Sequence, residues 1–133
     1  MKVRIVRPEF LPAPSAYAHV VKATGGTTIY IAGQVALDAD ANLIGEGDVI
    51  AQAEQAYANV GIALKAAGAG FADVVKLTIY IVDYRPEHGA PLRQLRERIF
   101  PAPNQPVCTV VGVAALGRPG LLIEVDATAV TDS

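Results

Sequence analysis

The chain has 133 residues, long enough for one core and too short for two domains, so residues 1–133 are read as a single domain. Hydrophobic residues make up 52% and charged ones 18%, with a mean hydropathy of +0.34, more apolar surface than a monomer of this size ordinarily hides; self-association is expected. A net charge of -2 and an isoelectric point near 5.6 exclude a broad electrostatic footprint for a phosphate backbone, so nucleic acid is not an expected partner.

One cysteine cannot make an intrachain disulfide, and the opening Met-Lys-Val-Arg-Ile-Val-Arg lacks the apolar stretch of a signal peptide. No apolar run approaches the roughly 20 residues that span a bilayer. A soluble cytoplasmic protein with no membrane contact is expected.

Along the chain, Val3 to Val6 alternates with Lys2, Arg4 and Arg7 and predicts a short strand, which Pro8, Pro12 and Pro14 end in a loop. Tyr17 to Ala23 and Thr28 to Ala32 are β-rich and flank Gly25-Gly26, a pair that tolerates the positive φ of a hairpin turn. After a turn-rich stretch from Asp38 to Gly47, Asp48 is a natural N-cap. Val49, Ala53, Ala56, Val60, Ala63 and Ala67 then recur at helical spacing up to Gly68, a natural C′ residue.

Val74 to Val82 is apolar on both faces and predicts a central strand. Pro91 opens a second helix, with Leu92, Leu95 and Ile99 in one stripe opposite Arg93, Arg96, Glu97 and Arg98, which with Arg85 are read as a solvated face. Pro106 to Ala114 and Leu121 to Val130, joined by a Gly/Pro loop, predict a terminal hairpin.

The sum is an α+β two-layer domain, with two helices on one face of a mixed β-sheet. The other face would carry Thr78, Tyr80, Glu124, Asp126 and Thr128 among Val and Ala, too polar for a core and too apolar for open water. Such a face is best buried against a copy of itself.

From Tyr17 to Val130 the sequence resembles the RidA/YjgF family of imine and enamine deaminases, also called the L-PSP endoribonuclease-like family. The resemblance rests on Ile31-Ala32-Gly33-Gln34, Gln52-Ala53 through Asn59-Val60, Ala66-Ala67-Gly68, Asp73-Val74-Val75-Lys76 with Thr78, and Ile123-Glu124-Val125-Asp126-Ala127, in this order and spacing. It implies a chorismate-mutase-like fold, a homotrimer with three inter-subunit clefts, and hydrolysis of a reactive imine or enamine, such as one derived from 2-aminoacrylate, to a keto acid and ammonia. It implies a small-molecule ligand and no metal or organic cofactor.

The family's cleft tyrosine falls on Tyr17, its Gly-Gln pair on Gly33-Gln34 and its last-strand glutamate on Glu124; the residue before the glycine, commonly Ser, is Ala32. The signature arginine of a Pro-Ala-Arg-Ser pattern falls on Pro106-Val107-Cys108-Thr109, so Cys108 stands in its place. That arginine offers a planar two-donor fork to a substrate carboxylate, which cysteine cannot reproduce. The standard keto-acid imine is therefore not the expected substrate. Arg93 falls near another position that borders the cleft and is a candidate to take the anion.

Glu124 is the candidate for moving protons and placing water, or else an interface ion pair. Cys108 either lines the pocket as a small hydrophobe or acts as a nucleophile, which needs a neighbouring base or cation. The two face the same side if the hairpin centre lies on residue 116 or 118, and opposite sides if it falls between residues; the family resemblance alone argues for a shared face. Tyr17 bonds a ligand or caps the interface; Gly33 brings a backbone N–H to a ligand or only marks a bulge; His19 is read as structural or solvent-facing. Two functions fit: an imine or enamine deaminase-like hydrolase, or a trimeric small-molecule-binding or chaperone-like module without turnover.

Overall fold

A computed structural model describes residues 1–133. Its regular elements are β1 (Lys2–Ile5), β2 (Val20–Ala23), β3 (Thr27–Val35), α1 (Val49–Ala66), β4 (Val74–Val82), α2 (Gly89–Ile99), β5 (Val107–Val113) and β6 (Ile123–Thr131). Short 3-10 turns at Phe71–Asp73 and Pro86–His88 lead into β4 and α2.

Local chemistry sets both ends of α1. The Asp48 carboxylate accepts from the Ile50 and Ala51 amides, each at 3.1 Å, satisfying two of the donors that a helix start leaves unpaired. At the other end Gly68 takes φ +76°, a conformation that side chains disfavour. Between these ends Ala53, Ala56 and Val60 are fully buried, as their spacing predicts, together with Gln52, Tyr57 and Leu64.

The main sheet has the order β3-β6-β4-β5, antiparallel except for the parallel pair β4-β5. Both helices lie on one face, over Leu77, Ile79, Ile81, Ile123, Val125, Ala127 and Ala129, and the two-layer α+β expectation holds. No helix is long and apolar enough to cross a membrane.

Neither predicted hairpin forms. Strand β5 joins β4 in a parallel pair through α2, while β6 inserts between β3 and β4, so the two C-terminal strands never touch as neighbours. Parallel pairing needs a crossover of a dozen residues or so, which α2 supplies. In the N-terminal half Gly25 and Gly26 do take φ +70° and +73°, but β2 pairs with β1 and β3 with β6. Gly26 is instead required by a close approach, since a Cβ there would collide with the Thr131 carbonyl.

The opposite sheet face is uncovered in the single chain. Thr78, Tyr80, Glu124, Asp126 and Thr128 are half-buried on it, and Tyr30 on β3 is 80% exposed. At the β5 edge Val110 and Val111 are each 37% exposed. An apolar edge strand beside a half-polar face leaves backbone donors and acceptors and apolar side chains without a partner in the single chain.

Candidate functional site

The predicted residues fall into two groups, one on each side of the sheet. Cys108 pairs with Leu77 across β4-β5, and Glu124 pairs with Tyr80 across β4-β6. Side chains alternate along a strand, so the odd offset from Leu77 to Tyr80 puts Cys108 on the helix side and Glu124 on the open side. The two residues therefore lie on opposite faces of the sheet, which corrects the shared face that the resemblance favoured: the hairpin that would have set it does not form.

On the open side the pairing of β3 with β6 slips between Ile31 and Gln34: three steps on β3 match two on β6, from Ala127 to Val125. Ala32 and Gly33 thus form a β-bulge. The Glu124 carboxylate lies directly over Gly33, where a Cβ would overlap Oε2. Gly33 does mark a bulge, and the bulge is what clears space for the carboxylate. Gln34 turns its amide to the Ala32 carbonyl at 3.2 Å, locking the bulge.

Beside Glu124, the Tyr80 hydroxyl donates to Asp126 Oδ2 at 3.4 Å. The Asp126 carboxylate, helped by desolvation and by Glu124, holds that phenol protonated above the usual tyrosine range.

On the helix side, Cys108 is half-buried against the core. Burial raises its thiol pKa, and nearby Arg96 offsets this only in part, so the thiol rather than the thiolate is the ground state. Tyr57, buried beside it, is likewise held protonated by desolvation. Arg93 is half-buried on α2 and lines a cavity of about 80 Å³ together with Arg96, Tyr57, Tyr84 and the sheet residues Ile79 and Val110.

Tyr17 is fixed by its neighbours in the chain. The Arg96 guanidinium donates from Nε to the Ala16 carbonyl at 3.1 Å and from Nη2 to the Ser15 carbonyl at 3.3 Å. The Ala18 amide donates to the Pro106 carbonyl at 3.0 Å, so the segment is pinned from both α2 and the entry to β5. His19 packs edge-on to Tyr17 at 5.3 Å between centroids and holds the Pro12 carbonyl at 2.8 Å, a structural role.

Arg96 corrects the expectation of a solvated arginine face, being 8% exposed. The signal was present: it stands four residues after Leu92 and three before Ile99, inside the apolar stripe rather than opposite it. A charge within such a stripe is tolerated only where carbonyls receive it. Tyr57 and Tyr84 also escaped the sequence reading, because what brings them to the cavity is tertiary packing. No three His, Cys, Asp or Glu side chains converge at metal-binding distance.

A family profile described as endoribonuclease L-PSP matches residues 9–131. A RutC family protein of Synechocystis sp. is 33% identical over 132 residues, covering 98% of each chain. The 2-iminobutanoate/2-iminopropanoate deaminase of Mus musculus is 39% identical over 103 residues, 77% of this chain and 73% of that one. Among solved structures, a protein of the conserved Rid family from Yersinia pestis superposes with a TM-score of 0.91 at 37% identity, covering 98% of each chain.

Proposed function

Since the chain belongs to the endoribonuclease L-PSP family, the RidA/YjgF family, we propose that it is an imine or enamine hydrolase whose sites are clefts between subunits of a homotrimer. The observation that carries this reading is the division of the candidate residues between two sheet faces. Glu124 over the Ala32-Gly33 bulge is one half of a site, and Arg93 and Cys108, with Tyr17 near the entry to β5, are the other; Gln34, opposite Val125, turns to the helix side at the β3 edge. One copy cannot bring the halves together through its own sheet; a neighbour's open face laid against the β5 edge can. The uncovered Tyr30, Val110 and Val111 support that assembly.

Within the cleft Glu124 is the general base. It takes a proton from water as the oxygen attacks the imine carbon, and returns it to the nitrogen. Collapse of the carbinolamine breaks the C–N bond, passes the hydroxyl proton to the departing nitrogen, and releases the carbonyl compound and ammonia. The Gly33 amide is a donor to the developing oxygen. Cys108 and Tyr17 form the wall; a thiol kept protonated by burial is a poor nucleophile.

Cys108 in place of the family's arginine removes a charge-assisted, two-donor contact worth about 1.5 to 3 kcal/mol, so a keto-acid imine whose only handle is its carboxylate binds at least about tenfold worse. The same substitution favours a second reading, a trimeric binding module without turnover. Following the loss of 2-iminopropanoate generated in situ separates the two. Wild type is expected to be slow, Cys108→Arg faster by about tenfold or more, and Glu124→Gln inactive. Turnover by wild type at the rate of Cys108→Arg would refute the role given to the missing arginine. Inactivity of both with every imine tried, or a solitary 13.9 kDa species in sedimentation at micromolar concentration, would leave only the binding module or remove the clefts.

A further inference from the structure

Two side-chain amides of α1 bear on the backbone around Glu124. Gln52 and Asn59 stand about two helical turns apart, so both point from α1 toward β3 and β6. Asn59 Nδ2 donates to the Val35 carbonyl at 2.8 Å and to the Leu37 carbonyl at 2.9 Å. Gln55 Nε2 donates to Asn59 Oδ1 at 3.0 Å, which fixes the end of the amide that faces β3. Gln52 is fully buried; it accepts from the Leu122 amide at 2.8 Å and donates to the carbonyls of Gly120 at 2.9 Å and Gly45 at 3.2 Å.

Val35 is the cross-strand partner of Glu124, and Leu122 lies two residues before it at the entry to β6. The sheet's own ladder is weakest at these places. The bulge interrupts it between Ile31 and Gln34, and beyond the bulge only the pairs of Gln34 with Val125 and Val35 with Glu124 tie β3 to β6. Leu122 precedes the regular strand: its carbonyl receives the Val82 amide at 2.9 Å, and its own amide goes to Gln52. A carboxylate carried by β6 over a glycine of β3 keeps its place only while both strands keep theirs, and a misplacement of about 1 Å can cost about a hundredfold in rate.

We propose that Gln52 and Asn59 are positioning residues for Glu124, setting from the helix side of the sheet where its carboxylate stands over Gly33 on the open side. Asn59 fixes the end of β3, Gln52 fixes the start of β6, and Gln55 orients Asn59. The inference rests on the hydrolase reading for its effect on rate, and on the hydrogen bonds alone for its geometry.

The geometry can be read without turnover, by amide NMR of the full chain through an acid titration. The Gly33 resonance should move as the Glu124 carboxylate lying over it takes up a proton, and Glu124→Gln should abolish the movement. Asn59→Leu keeps the volume and loses both donors, and should cut the movement by about half or more. Gln55→Leu leaves Asn59 in place but free to turn, and should cut it by less. Gln52→Met should act as Asn59→Leu does with a larger fall in Tm, because it leaves a buried amide unpaired. Val74→Ala, a core truncation at the far end of β4, lowers stability without touching the clamp and should leave the movement whole. With 2-iminopropanoate, kcat should fall about tenfold in Asn59→Leu with KM within about twofold of wild type, and neither should change in Val74→Ala. No movement of Gly33 in wild type, a full movement in folded Asn59→Leu, or an equal loss in Val74→Ala overturns the proposal. If the movement is lost as stated and wild type hydrolyses no imine, the clamp stands and the hydrolase falls; a full movement in Asn59→Leu with wild-type kcat is the reverse result.

Discussion

Replacing Arg96 by methionine tests whether a buried guanidinium, rather than the loop's own sequence, holds Tyr17 in place. Methionine keeps most of the apolar stem that packs beside Leu92 and Leu95 but donates no hydrogen bond. The wild-type side chain, 8% exposed, donates to Ala16 at 3.1 Å and to Ser15 at 3.3 Å. Hydrogen bonds from a charged donor are worth about 1.5 to 3 kcal/mol each, and the longer, part-buried second bond belongs at the low end. Against this stands the desolvation of a charge that methionine no longer needs. The net loss is about 2 to 3 kcal/mol.

For a chain of 133 residues, an unfolding entropy of about 2.1 cal/mol/K per residue turns each kcal/mol into about 3.6 °C, so Tm should fall by about 7 to 11 °C. The same substitution should release Ser15 to Ala18, and hydrogen exchange at the Ala18 amide, now bonded to Pro106, should accelerate more than that of amides in α1. Arg96→Lys, with one point charge instead of a fork, should recover about half of the loss. A Tm within 2 °C of wild type, expressed as about the scan reproducibility, together with unchanged Ala18 protection, would refute the reasoning.

Two further outcomes follow from the site. Gly33→Ala puts a Cβ where the Glu124 carboxylate lies; the flexible end of Glu124 must swing away, so kcat should fall about tenfold or more with Tm nearly unchanged, and an alanine variant as active as wild type would show that Glu124 works from elsewhere. Cys108 has a thiol pKa raised by burial. The folded state then holds its proton above the unfolded value of about 8.5, so the unfolded state binds fewer protons and stability falls as pH rises past about 8.5. Chemical denaturation at pH 7 and pH 9.5 should show this loss, and Cys108→Ala should show less of it; equal losses would mean that the thiol does not contribute.

What the amino-acid order decided by itself was local. The limits of α1 were legible because Asp48 caps through amides two and three residues away and Gly68 needs only its own φ. The two-layer architecture and the half-polar sheet face were legible because period and burial are properties of single segments. Family membership was readable for a related reason, its short motifs keeping their order and spacing.

Tertiary structure decided whatever depends on which strand finds which. The Gly/Pro loop after β5 looks like a hairpin turn, yet the backbone donors of β6 are satisfied by β3 and β4, and β5 pairs only with β4. With the hairpin went the parity argument for Cys108 and Glu124, since their faces are counted through Leu77 and Tyr80 of β4, far away in sequence. Arg96 divides the same way: its place in the apolar stripe was written in the chain, but the carbonyls that make its burial affordable come from residues 80 and 81 positions away, and only folding brings them within reach.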